Sequence, residues 1–518
     1  MNIAGGRETV KHLRPLAVLL LALCAGSKLL LSGGVELGKD EAAYVYWSQH
    51  LDATYALLPF ALFGFFHWLA PGSEWVLRMG PILTGTLSLL LVYRLCRQHN
   101  LSQRAALMAA AALGSCHWFW HTTSFLHPDG PLVTCWLLTL VTAQRCWGGE
   151  RSARWRDLIL VGACAGLTLL CKYSAAFLVT GLVAWIAIAR RDVREVAWVA
   201  AAAAVVAAPL LQAQLASGLF LPTTLSTLSR IATDDNPLVR LTLFVLSPAL
   251  FASPLFLYEG YRVFILRLAD LRDSRSPDHN RLLLSLLPGL CLILAFAGFA
   301  LLRGQIKGNW ILPTFLALLP AVFAATTARR RLFLWGIVGT NLAQALAFGV
   351  ALRFPTLVQE LAPPLQSSGI DQSYTLLVAA PDRRREVAFS WTERLCDYRG
   401  WSGLAAALNS RLAEQSIETA ALASDQYGVV FGLAYYAETG GRLRDYRTVD
   451  DPRFRDLSDL YAADPAPPPQ VLFVARASSA LPTSVASRYR LVGIGFELPR
   501  AAAGCDTIAY RARLFELR

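Results

Sequence analysis

The sequence predicts an α-helical polytopic membrane protein with about 11 transmembrane helices over residues 1–355, followed by a water-exposed C-terminal α/β domain over residues 356–518. Three observations carry that prediction. The chain is 55% hydrophobic over 518 residues, with a mean hydropathy of +0.43. Its apolar runs recur at about 20 residues, the length that crosses a bilayer. Beyond residue 355 the texture changes, with Pro363-Pro364 and a Ser/Gly-rich stretch leading into less hydrophobic segments.

Taken in order, spans are expected near residues 15–32, 77–96, 104–121, 130–147, 157–171, 174–189, 196–217, 238–258, 281–302, 310–327 and 332–350. The first has a basic flank (Arg7, Lys11, Arg14), and no small-residue cleavage site precedes Lys39-Asp40, so it reads as a retained helix and not a secretory signal. Arg-rich loops then alternate: Arg94, Arg97 and Arg104; Arg145, Arg151, Arg154 and Arg156; Arg190, Arg191 and Arg194; Arg262, Arg267, Arg272 and Arg275; Arg329, Arg330 and Arg331. By the positive-inside rule this places the N-terminus in the cytoplasm and the C-terminal domain outside. The net charge of +12 is thereby a topogenic signal whose partner is anionic lipid, not nucleic acid.

In the tail, 374–380, 418–423 and 470–475 read as short buried strands, and 401–408 and 428–436 as helices. Strands alternating with helices predict a small α/β layer domain. Of ten cysteines only Cys396 and Cys505 fall in the tail; an oxidising compartment would let them pair, and sequence leaves that open.

The candidate chemistry gathers in the loops of the outer side. Directly after the first span comes Lys39-Asp40-Glu41-Ala42-Ala43-Tyr44-Val45-Tyr46-Trp47-Ser48-Gln49-His50. Two carboxylates this close to lipid are costly, so they are either a functional site or the solvated end of a helix. His127-Pro128-Asp129 opens a later span, where Asp129 is either a helix cap or a second acid. A metal site combining His121 and His127 with the three acids lacks any tight ligand spacing. The chain has only five lysines, and all but Lys11 fall at the outer side, against the usual bias. Snorkelling explains Lys28 and suits Lys172, whereas Lys39 and Lys307, set in short polar motifs, favour an anionic ligand such as a phosphate. Asp234-Asp235-Asn236 sits in a long outer loop beginning near Ser217 and reads either as a solvated loop or as one that closes over acceptor or donor.

Four segments together resemble glycosyltransferases of the GT-C superfamily, in the group of protein O-mannosyltransferases and lipid A aminoarabinose transferases. They are the acidic Asp40 to Asp52 loop, His127-Pro128-Asp129-Gly130-Pro131-Leu132, Cys171-Lys172-Tyr173-Ser174-Ala175, and Lys307-Gly308-Asn309-Trp310-Ile311-Leu312-Pro313. The resemblance implies transfer of a sugar from a polyprenyl phosphate carrier to an acceptor hydroxyl by one inverting displacement, at the outer face of a bacterial inner membrane. The acceptor it implies is lipid A, lipopolysaccharide or another glycolipid, with an exported protein as the alternative. It implies Asp40 as the base, Glu41 orienting Asp40 or raising its pKa through like-charge proximity, and Asp129 as a further acid. It assigns Lys39, Lys172, Tyr173, Arg303 and Lys307 to the donor phosphate, where developing charge needs fixed cations and donors. Tyr44, Trp47, His50, Tyr55 and Asn309 are assigned to sugar or acceptor. No cofactor is expected, and no metal ion is required. The chain departs from the group in having Leu57-Leu58-Pro59 where a Lys-Pro-Pro or His-Pro-Pro usually stands, so one phosphate-binding base is missing. A flippase of lipid-linked sugars is the reading from another class. It would place polar residues at the bilayer midplane and show two similar halves, and the sequence has no persuasive two-half repeat.

Overall fold

The computed structural model describes residues 22–50, 56–148, 153–217, 237–270, 279–302, 308–324, 328–354, 356–357, 360, 397–415, 420–424, 427–437, 443–448, 470–476, 489–499 and 509–517. The chain divides into two compact units. Unit 1 takes Met1–Gly33, Leu51–Gly349 and Ala380–Arg383; unit 2 takes Gly34–His50, Val350–Ala379 and Arg384–Arg518.

The described helices in chain order are α1 (Ala22–Ser32), α2 (Lys39–His50), α3 (Leu57–Leu69), α4 (Glu74–Gln98), α5 (Gln103–Ser115), α6 (His117–Ser124), α7 (Asp129–Trp147), α8 (Trp155–Cys171), α9 (Ala175–Trp185), α10 (Val193–Ser217), α11 (Pro237–Leu246), α12 (Pro254–Asp270), α13 (His279–Leu302), α14 (Ala328–Arg353), α15 (Trp401–Glu414) and α16 (Tyr427–Ala437). Single helical turns at Pro313–Leu316 and Leu319–Val322 lie between α13 and α14.

Among the described residues, three helices are long and apolar enough to cross a membrane: Glu74–Gln98, Val193–Ala213 and Arg330–Arg353. Several expected spans are broken pieces, and the breaks have local causes. The run 104–121 divides at Cys116, whose extended backbone (φ −61°, ψ 124°) ends α5, and Trp118 N–H goes instead to Phe251 O at 2.6 Å. The run 238–258 is interrupted by a 3₁₀ turn at Ser247–Leu250, entered through Pro248, before α12 restarts at Pro254. Pro313 and Pro320 cut the run 310–327 into single turns, because proline lacks the N–H that a continuing helix needs. The run 174–189 ends in a π turn, Ile186–Arg190, closed by Arg191 at φ 54°. The helix α3 was not expected, and the stretch expected as an acidic outer loop is α2.

Unit 1 is joined by close backbone approach and hydroxyl bridges, as expected where no hydrophobic gain separates helix from lipid. Ser88 and Thr134 hydroxyls meet at 2.8 Å between α4 and α7, and those of Thr139 and Thr168 at 3.1 Å between α7 and α8. On α8, Gly162 and Gly166 face the backbone of α10: a methyl built on either would fall 2.4 Å from Val199 O or 2.7 Å from Ala203 O.

Unit 2 contains a five-stranded sheet, β1 (Ala420–Ser424), β2 (Leu443–Thr448), β3 (Gln470–Arg476), β4 (Tyr489–Pro499) and β5 (Ala509–Leu517), in the order β2-β1-β3-β5-β4. The first three strands pair in parallel; β5 pairs antiparallel with both β3 and β4. The parallel strands are short runs of small and aliphatic residues, with Leu422, Ala423, Leu472 and Val474 fully buried. Helix α15 buries Leu404, Leu408 and Leu412 at four-residue spacing. The expected strand at 374–380 and the pair Cys396 and Cys505 lie outside the described residues, as does Asp234-Asp235-Asn236.

Candidate active site

In unit 1 the polar centre forms around Asp129, the first residue of α7. Pro128 occupies the cap position and no side chain caps the helix, so the carboxylate is turned to side chains instead of backbone N–H groups. Lys172, immediately after the end of α8, donates to Asp129 Oδ1 at 2.7 Å; Trp118 Nε1 from α6 donates to Oδ2 at 3.4 Å, and Asn309 Nδ2 approaches the same oxygen at 3.5 Å. Lys172 Nζ also stands 5.6 Å from the centroid of the Trp310 ring. Asp129 and Lys172 are both buried. His127 Nδ1 lies 3.7 Å from Asp129 Oδ2, yet the same nitrogen accepts the Asp129 backbone N–H at 3.1 Å. That bond ties the His127 ring to the turn that presents Asp129. Burial opposes ionisation of Asp129, which precedes the apolar run beginning at residue 130, but the Lys172 ammonium outweighs it and holds the carboxyl below its ordinary pKa.

Asp129 is therefore a fixed, saturated carboxylate. It holds the Lys172 ammonium in a buried site with the Trp310 ring 5.6 Å away, an arrangement suited to presenting a cation, not to taking up a proton. Tyr173, next along, is more than one-third exposed at 37%.

In unit 2 the acidic pair opens α2. Gly38 is the residue before the helix, Lys39, Asp40 and Glu41 its first three. Glu41 is buried, and its Oε2 accepts the Gly38 N–H at 3.0 Å, the return half of a capping box. This gives Glu41 a structural post. Asp40, one position earlier and partly buried, stands in the first turn, at the positive end of the helix. Lys39 reaches Asp397 at 3.2 Å, so an incoming phosphate would have to compete with that carboxylate. Tyr44 and Trp47 pack together with ring centroids 5.8 Å apart, and Trp47 lies edge-on to Phe431 of α16.

Of the residues singled out in the sequence, the structure unites Asp129, Lys172 and Asn309 in one hydrogen-bonded cluster. It places Lys39, Asp40, Glu41, Tyr44 and Trp47 on one helix. Tyr55, Arg303 and Lys307 lie outside the described residues, as does the His50 side chain. Among the described residues no three His, Cys, Asp or Glu side chains gather as a metal-ligand set. Trp118 and Trp310 escaped sequence reasoning; Trp310 adjoins Asn309 in a quoted motif, whereas nothing in the sequence singles out Trp118 among 14 tryptophans.

Residues 55–213 match the model of the dolichyl-phosphate-mannose-protein mannosyltransferase family. The fold as a whole is similar to that of ArnT from Cupriavidus metallidurans. With its undecaprenyl phosphate-bound structure the TM-score is 0.55 at 14% identity, covering 96% of this chain and 98% of that one. With the apo structure the TM-score is 0.54 at 14% identity, covering 97% and 98%. A search of curated protein sequences returns no match. The resemblance to GT-C glycosyltransferases of the mannosyltransferase and ArnT type, first read from four short motifs, is borne out.

Proposed function

We propose that the protein is an integral membrane glycosyltransferase. It takes a sugar from a polyprenyl phosphate carrier and transfers it to a hydroxyl of a membrane glycolipid, lipid A or lipopolysaccharide, at the periplasmic face of the bacterial inner membrane. The observation that supports it most is the end-to-end likeness in fold to ArnT, a protein whose structure holds undecaprenyl phosphate. In this reading the N-terminus is cytoplasmic and the tail periplasmic. The acceptor oxygen attacks the anomeric carbon as the bond to the phosphate oxygen breaks, inverting the centre and releasing polyprenyl phosphate. Asp40 takes the acceptor's proton, Glu41 holds the turn that presents Asp40, and Lys172, fixed by Asp129, meets charge developing on the leaving phosphate.

The test uses the full-length protein in nanodiscs with undecaprenyl phosphate carrying a hexose, a pentose or a hexuronic acid, and a glycolipid extract as acceptor. Asp40→Asn should abolish transfer while leaving undecaprenyl phosphate binding intact. Full activity in a folded Asp40→Asn variant would overturn the assignment. A second reading, protein O-mannosylation, is favoured by the family matched over residues 55–213. A deletion strain separates the two: loss of one sugar increment from the lipopolysaccharide supports a glycolipid acceptor, and an unchanged glycolipid profile supports a protein acceptor.

A further inference from the structure

Helix α2 is 12 residues long, short enough to be marginal by itself, and it carries the proposed base in its first turn. Besides the local Glu41–Gly38 bond, that turn is held within unit 2 by contacts from the far end of the chain. Leu37 N–H donates to the Tyr436 hydroxyl at 2.7 Å. Gly38 lies so close to Tyr398 that a methyl in its place would fall 2.6 Å from the ring. Lys39 pairs with Asp397, and its stem packs on Gly428, where an added methyl would fall 2.7 Å from Lys39 Cβ. Further along α2, the Tyr46 ring packs tilted against Phe431 with centroids 4.9 Å apart.

Glu36 completes the arrangement in the opposite sense. Helix α15 begins after Gly400, in the left-handed conformation at φ 76°, which has no side chain to cap the free N–H groups that follow. Glu36 supplies the missing cap from 365 positions earlier: its Oε2 accepts Trp401 N–H at 2.7 Å and its Oε1 accepts Ser402 N–H at 3.3 Å, with the Ser402 hydroxyl also donating. One carboxylate thus ties the residues just ahead of Asp40 to the start of a tail helix.

We propose that the C-terminal part of the chain positions the proposed base. Glu36, Asp397 and Tyr436 are positioning residues that set the first turn of α2 and, through it, Asp40. The catalytic part of this inference rests on the function proposed above. On this view the tail's first task is to hold the base, and the local Glu41–Gly38 bond does not fix the acidic motif by itself.

The experiment compares full-length wild type with Glu36→Gln, Glu36→Asp, Tyr436→Phe and Asp397→Asn in nanodiscs. Arg511→Gln, which removes an exposed cross-strand pair with Glu497, serves as the control in the same unit. Two readouts are taken: sugar transfer from the undecaprenyl phosphate donors above, and amide hydrogen exchange in peptides covering 39–50. Glu36→Gln and Tyr436→Phe should speed exchange in 39–50. They should lower kcat about 10- to 100-fold, with the donor KM held within about twofold, because a base displaced by an ångström loses turnover and not binding. Glu36→Asp should recover part of kcat, and Arg511→Gln should match wild type. Wild-type exchange over 39–50 in both Glu36→Gln and Tyr436→Phe would overturn the inference. So would a kcat loss that Arg511→Gln shares, or one matched by an equal rise in KM. If wild type transfers no sugar from any donor, the functional reading fails, and the exchange result alone decides whether the tail positions α2.

Discussion

Lys172 Nζ lies 2.7 Å from Asp129 Oδ1, with both side chains almost wholly removed from solvent. Burying either charge alone carries a large desolvation cost that the other offsets, so neither residue can be changed independently. Lys172→Met should cost about 3–5 kcal/mol, since it strands an ionised carboxylate in a dry site. The double variant Asp129→Asn/Lys172→Met should recover most of that loss. Denaturant unfolding of wild type, Lys172→Met, Asp129→Asn and the double variant in one detergent checks this; single-variant costs that simply add in the double would show that the two charges are not coupled.

A second prediction concerns packing in unit 1. Gly162 and Gly166 bring α8 against the backbone of α10, leaving no room for a side chain. Gly162→Val should force the helices apart and cost about 1–3 kcal/mol or more, the usual range for overpacking. Gly298 on α13 has nothing within 4 Å of an added methyl, so Gly298→Ala should be neutral or stabilising by up to about 1 kcal/mol. Thermal unfolding of the matched pair is the measurement, and an equal effect from both substitutions would contradict the close-approach account.

How much of this was legible beforehand depends on how local the signal is. The motif around Asp129, Lys172 and Asn309 could be read because short polar words in an apolar sequence stand out, and the strands at 420–424 and 470–476 because buried parallel strands are continuous apolar runs. Breaks within apolar runs were not legible. Hydropathy does not register that Trp118 N–H bonds to Phe251 O, nor that Pro313 and Pro320 break a run whose window stays apolar. Likewise, Lys39 reads as free for a phosphate until Asp397 is placed beside it, a pairing across 358 positions that no local pattern encodes. Glu41 could have been recognised: a glutamate three residues after a glycine, ahead of Ala42 and Ala43, fits the start of a helix as well as a loop.

The last prediction falls on Glu259, in α12, which is fully buried. It accepts from Arg262 one turn later at 2.9 and 2.8 Å, and from Arg330 of α14 at 2.9 Å with a second, shorter contact to the same guanidinium. Two guanidinium forks meet on one carboxylate, the Arg330 fork tying α12 to the start of α14, and both arginines keep part of their surface in solvent. The cost of change should therefore be unequal among the three. Glu259→Gln leaves two like charges facing each other with only one acceptor oxygen between them, and should cost about 3–5 kcal/mol. Arg262→Met still leaves Glu259 paired with Arg330, and should cost roughly 1–2 kcal/mol, within the range for losing a charge-assisted hydrogen bond. Arg330→Met breaks the only one of these contacts that joins the two helices. Beyond its effect on stability, it should speed amide exchange at the start of α14, a change that Arg262→Met should not produce. If Arg262→Met proved as damaging as Glu259→Gln, the carboxylate would have to depend on its neighbour within α12 and not on the tie to α14.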